Sequence, residues 1–136
     1  MGFDVYGPAR KVCASNIDDG AEPSYDLLAM PADYGLRCPE LENLSRRFYA
    51  TTTVCHAGGH VQALRDELVG LRDAYRARRE PELIRERHVQ ARDSEVRRAI
   101  LERLLEEDTV YHALDEFCLL CDEAIAAEAD LRCVGD

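Results

Sequence analysis

The stretch HVQALRDELVGLRDAY, residues 60–75, decides the fold class. Val61, Leu64, Leu68, Leu71 and Tyr75 recur at intervals of 3, 4, 3 and 4, which lays one continuous apolar stripe along a helix. Arg65, Asp66, Arg72, Asp73 and Arg76 fill the opposite side. Pro81 then predicts a break or kink, because a Pro in a helix interior loses a hydrogen bond and clashes with the preceding turn.

Downstream, a third helix is expected over 82–107. Its stripe is Leu83 or Ile84, then Val89, Val96, Ile100 and Leu104. Asp93 and Arg97 are spaced for a modest ion pair, worth a few tenths of a kcal/mol. Asp108 is placed to cap a fourth helix by accepting the free N–H groups of its first turn. On that helix Tyr111, Leu114, Cys118, Cys121 and Ile125 share one face, with Phe117 beside them. Only a residue or two is expected between successive helices here, and short connections favour antiparallel neighbours.

Upstream, the first 38 residues hold most of the turn formers: Gly7-Pro8, Asn16, Asp18-Asp19-Gly20, Pro23, Pro31 and Gly35. Phe3 and Val5 alternate with Asp4 and Tyr6, as in a short edge strand that stops at Gly7-Pro8. One helical turn is expected over 24–30. Pro39 suits the first position of a helix, where its missing N–H costs nothing. Leu41, Leu44 and Phe48 extend that helix over 39–50, and the β-branched run Thr51-Thr52-Thr53-Val54 ends it. Residues 55–59 read as a turn or loop. The expected fold is mainly α: a small helical bundle or set of helical hairpins with an irregular or short-strand N-terminal segment. All of 1–136 forms one domain, with 1–38 irregular and 39–136 the helical body.

Composition agrees with a folded domain, at 46% hydrophobic and 32% charged residues. With no Trp, the core must come mainly from Leu, Val, Ile and Ala. No apolar run approaches the ~18 residues of a membrane helix. The opening carries Asp4 and no apolar run of signal-peptide length. Gly2 is followed at position 6 by Tyr rather than the Ser or Thr of a myristoylation site. The expected location is the cytoplasm, where the six cysteines stay reduced.

The net charge of −10 is unevenly spread. Residues 1–44 carry 3 basic and 8 acidic groups, 45–105 carry 13 and 9, and 106–136 carry 1 and 10. The acidic end can lie along the Arg-rich middle, or it can face a basic partner. In the second case Glu106, Glu107, Asp108, Asp115, Glu116, Asp122 and Glu123 form the partner-binding row. In its sharpest form that row mimics a line of phosphates.

Four groups of residues invite chemistry. Cys118-Leu119-Leu120-Cys121 has the spacing of a zinc or redox pair. Its Leu-Leu spacer lies inside a helical pattern, so two small core residues are the simpler reading. Cys55, His56 and His60 could complete a zinc site with Cys118 and Cys121 only if the fold brought the two clusters together; zinc held in this way is the alternative function. Gly58-Gly59 ahead of a helix has free N–H groups for an anion, but neither the dinucleotide nor the P-loop spacing is present. From Arg72 to Arg103 the arginines alternate with acids and lack aromatic platforms between Arg76 and Arg103, so direct nucleic-acid binding is not expected. No residue pair combines a nucleophile with a partner that would activate it, and an enzyme is not expected.

The opening MGFDVYG, residues 1–7, resembles the first residues of a group of small phage and prophage proteins of unknown function. Those proteins continue into a Trp-rich block, where this chain has no Trp. The group has no assigned functional residues to carry over. The resemblance implies a viral or mobile-element origin and, with it, a host-cell cytoplasmic location. The expected function is a non-enzymatic interaction module that docks on a host or viral protein, as an inhibitor of a host defence protein would. Leu71, Tyr75 and the stripe of the third helix suit either a core or a second copy of the chain.

Overall fold

Alternation with a period of two makes a strand of β1 (Phe3–Tyr6), with Phe3 and Val5 buried and Asp4 and Tyr6 half-buried. The chain is described here from a computed structural model that covers residues 2–17, 24–47, 55–56 and 59–135. A tight turn, in which Gly7 N–H donates to the Arg10 carbonyl at 2.8 Å, leads to β2 (Lys11–Ser15), antiparallel to β1. The other side of β1 is not free. β4 (Leu131–Gly135) pairs with it antiparallel, Val5 opposite Cys133, so β1 is an inner strand and not the expected edge. A two-residue strand, β3 (Cys55–His56), adds to the far side of β4 where a loop was expected, and the sheet order is β2-β1-β4-β3. Strand β4 shows the same period of two, with Leu131 and Cys133 buried and Arg132 and Val134 exposed.

The fold is mainly α, as expected, with short strands. α1 (Met30–Asp33) is a single turn that begins later than expected, after Leu27 and Leu28 have been buried. α2 (Pro39–Arg47) starts at Pro39 as its sequence requires and buries Leu41 and Leu44. Phe48 and its expected terminator at 51–54 lie outside the described residues.

α3 (Gly59–Glu86) runs for 28 residues, about 42 Å at ~1.5 Å per residue. Pro81 does not end it. The Pro ring is exposed, the ion pairs Arg76–Glu80 and Arg79–Glu82 hold the turns around it, and Leu83 beyond it is buried against Leu101 and Leu105. Tertiary packing thus offsets the lost hydrogen bond. The helix ends instead at His88, in the left-handed region at φ 51°, where Val89 N–H reaches back to the Ile84 carbonyl at 3.1 Å.

The helix expected over 82–107 is therefore divided. Its first residues belong to α3, 87–93 form a connection, and α4 (Ser94–Glu106) begins afresh. Asp93 caps α4 through hydrogen bonds from the N–H groups of Glu95 and Val96, at 2.8 and 3.2 Å. Asp108 caps α5 (Thr109–Ala126) as its position predicts. α5 ends on a second left-handed residue, Glu128 at φ 52°, which turns the chain into β4.

One core joins the sheet to α2, α3 and α5 through Phe3, Val5, Leu44, Leu64, Leu68, Leu114, Phe117 and Leu131. A second, smaller one holds α4 through Leu83, Leu101 and Leu105. Ile125, expected on the buried face of α5, is exposed instead. No helix among the described residues is long and apolar enough to cross a membrane.

The turn after β1 presses on α5. A Cβ added at Gly7 would lie 2.9 Å from Cγ of Leu120, which is fully buried and has no room to retreat. Gly7→Ala is therefore expected to destabilise the protein by about 1–3 kcal/mol in urea titration.

Candidate functional site

The helices α3 and α5 run antiparallel, and three arginines of one meet three aspartates of the other. Arg65 binds Asp122 at 3.0 Å, Arg72 binds Asp115 at 2.9 Å, and Arg79 binds Asp108 at 3.0 Å. Both sets repeat every seven residues, in opposite order along the chain. Seven residues are about two turns, so each set stays on one side of its helix. This spacing was present in the sequence, but it becomes meaningful only once the two helices are known to be antiparallel neighbours.

The innermost rung carries the most hydrogen bonds. Asp108 has a side chain only 9% exposed, and Arg79 donates to its Oδ2. Its Oδ1 accepts from the Tyr75 hydroxyl at 2.8 Å and from the Tyr111 N–H at 2.9 Å. Burial and this bond to a carboxylate both push the Tyr75 phenol well above its ordinary range. Beside it lies a cavity of about 390 Å³ lined by Tyr34, Tyr75, Arg78, Arg79, Asp108 and Val110 among others. Arg78 stacks over the Tyr34 ring at 3.9 Å and donates to the Asp33 carbonyl. Arg79 also meets Glu82 and Glu86, so the charge lining the cavity is largely matched from within the chain.

The expected partner-binding row is drawn into this network. Glu116 and Glu123 both hold Arg10, each with a 2.5 Å contact, which ties the β1–β2 turn to α5. With Asp108, Asp115 and Asp122, five of the seven acids thus face arginines of their own chain. Glu106 and Glu107, at the end of α4, are exposed and form no ion pair among the described residues.

The arginines from 72 to 103 divide in the same way. Arg72 and Arg79 join the ladder, and Arg76 binds Glu80 and Glu102. Arg85, Arg87, Arg92, Arg97, Arg98 and Arg103 point outward around α4 and the end of α3, without ion pairs among the described residues.

The metal-site candidates are distributed differently. Cys118 and Cys121 are buried in the main core, as small apolar residues would be. Burial pushes the Cys118 thiol up to about 11, and the nearby Arg72 only partly opposes it; burial raises Cys121 as well. His60 is exposed and pairs with Glu40 at 3.1 Å, at the start of α2. There Glu67 of α3 accepts from the N–H groups of Glu40 and Leu41, at 3.0 and 3.1 Å. The backbone of Cys55 and His56 lies in β3, opposite Arg132 and Leu131, and Gly59 opens α3. Gly58 and the side chains of Cys55 and His56 lie outside the described residues. Among the described residues no three or more His, Cys, Asp or Glu side chains gather in a way that could hold a metal.

No protein-family model matches this chain, and comparisons with curated proteins and with solved structures return no match.

Two measurements test this account. Asp108→Ala removes a helix cap, takes one of three carboxylate partners from Arg79 and strands the Tyr75 hydroxyl, at an expected cost of about 2–4 kcal/mol. Asp115→Ala, at an exposed rung, is expected to cost under about 1 kcal/mol by the same urea titration. The buried thiols set an alkaline limit. Cys118 and Tyr25, the latter pushed up to about 12 chiefly by burial, ionise later in the folded chain than in the unfolded one. Below about pH 8.5 both states keep these protons and the stabilisation is complete. Above that, the unfolded chain alone releases them. The urea midpoint is therefore expected to hold from pH 7 to about 8.5 and to fall steadily toward pH 11. Replacing Cys118 and Cys121 by Ala should flatten the fall.

Proposed function

We propose that this chain is a non-enzymatic protein–protein interaction module and that α4 is its docking element. One observation carries the proposal. Residues 94–100, the first two turns of α4, are exposed on every side, Val96 and Ile100 stand 51% and 36% exposed, and Arg97, Arg98 and Arg103 of the same helix form no ion pair among the described residues. Isolated helices this short are marginal in water, and most helices draw their stability from burying a face. α4 buries only Leu101 and Leu105. Exposed apolar side chains on a helix that also carries exposed arginines have the composition of an interface centre with a charged rim.

The docking element is thus α4 and not the acidic row, whose charges are mostly matched within the fold. Of that row, Glu106 and Glu107 continue α4 and belong to its surface. The resemblance of residues 1–7 to small phage proteins supports a viral or mobile-element source. A module of that origin would act by occupying a surface on a host or viral protein, as an inhibitor does.

The test is capture from bacterial lysate, with and without phage infection, at low and high salt. Wild type is compared with Ile100→Glu and with Asp122→Arg. A partner held by wild type and by Asp122→Arg, but lost with Ile100→Glu, is the expected result. Capture that ignores Ile100→Glu and fails with Asp122→Arg would return the interface to the acidic row.

A further inference from the structure

We infer that the groove between α3 and α4 is a binding site for a small, multiply charged oxyanion of the phosphate class. Its volume is about 540 Å³, larger than the cavity beside Tyr75. Helix period builds one wall. At ~100° per residue, Ser94, Arg97, Arg98, Leu101 and Glu102 share one side of α4. The packing of Leu101 with Leu83 sets that side against α3, where Arg76 and Glu80, one turn apart, form the other wall. The inference concerns the side of α4 turned toward α3 and does not depend on what covers Val96 and Ile100.

Charge defines the ligand. Glu80 and Glu102 are both held by Arg76, the first at 2.7 Å. Arg97 and Arg98 form no ion pair among the described residues. The groove thus sets three guanidiniums against two carboxylates, and the excess sits on Arg97 and Arg98. The chain as a whole carries −10, but charges separated by more than about 8 Å are largely screened at physiological salt, so the lining groups govern an ion in the groove. A guanidinium offers paired N–H donors that match two oxygens of one phosphate. Arg97 and Arg98 are neighbours in the chain, so a ligand that serves both must carry its negative charges close together, as a diphosphate does. The Ser94 hydroxyl adds a neutral donor. Among the described lining residues Leu101 alone is apolar and none is aromatic, so a nucleobase joined to the phosphates finds no stacking platform. Recognition therefore rests on the charged oxygens.

Titration of the full chain with sodium pyrophosphate at low salt, followed by proton–nitrogen correlation NMR, tests this. Saturable shifts are expected at the amides of Ser94, Arg97, Arg98 and Leu101 and at the Nε–H groups of both arginines. Half-saturation is expected at or below about 1 mM, and later as salt is added. Arg97→Gln and Arg98→Gln should each weaken binding by about threefold to tenfold, and the double variant should show no saturation. Both side chains are exposed and unpaired, so the fold should survive, and an unchanged spectrum away from the groove checks that it does. Arg103→Gln removes an equal charge from α4 outside the groove and should change the affinity by less than about twofold. Adenosine diphosphate should bind within about fivefold of pyrophosphate. A titration that stays flat to about 10 mM pyrophosphate overturns the inference. So does an Arg103→Gln loss equal to that of Arg97→Gln, which would make the effect one of total charge. Adenosine diphosphate binding more than about fivefold tighter than pyrophosphate overturns it as well, by placing recognition on the base.

Discussion

The pairing of α3 with α5 is the constraint on which the rest of the molecule depends. On its dry side Val61, Leu64, Leu68 and Leu71 share a core with Leu114, Phe117, Cys118 and Cys121, and burial of this kind supplies most of the stabilisation. On its wet side the Arg65–Asp122, Arg72–Asp115 and Arg79–Asp108 contacts add little energy where they are exposed. Their contribution is alignment. A slip of one helical turn would misplace all three rungs at once and would separate Asp108 from Arg79 and Tyr75, which it binds while it caps α5.

The sheet is built onto that pair. β1 lies between β2 and β4, so strands from the two ends of the sequence flank one strand. Three contacts seat it on α5: the close approach of Gly7 to Leu120, and the grip of Arg10 on Glu116 and on Glu123. Glu67 does for α2 what Asp108 does for α5, accepting from the first N–H groups of the helix, but it reaches them from α3. Helix starts in this protein are thus satisfied by tertiary neighbours as well as by local caps.

α4 stands apart from this economy. Between α3 and α5 the arginines and aspartates meet, and the thiols on α5 are buried and held protonated. On α4 Val96 and Ile100 remain exposed beside charges of both signs, and this is the observation from which the docking proposal starts.

Local pattern determined what lies within a few residues of itself. The stripe of α3, the start of α2 at Pro39, the cap at Asp108, the alternation of β1 and the mainly helical class were all legible, because helix and strand periods and capping bonds span four residues or fewer. The structure alone decided matters that depend on residues far apart in the chain. Pro81 stays inside α3 because Leu83 packs on Leu101 and Leu105. β1 became an inner strand because Val5 meets Cys133. Asp108 and the acids of α5 meet arginines about 30 to 110 residues away in the chain, a pairing that no local pattern announces. The seven-residue repeats of Arg65, Arg72, Arg79 and of Asp108, Asp115, Asp122 were in the sequence throughout. Only the antiparallel packing of two helices shows which charges they cancel and, by difference, that the outward face of α4 is left uncovered.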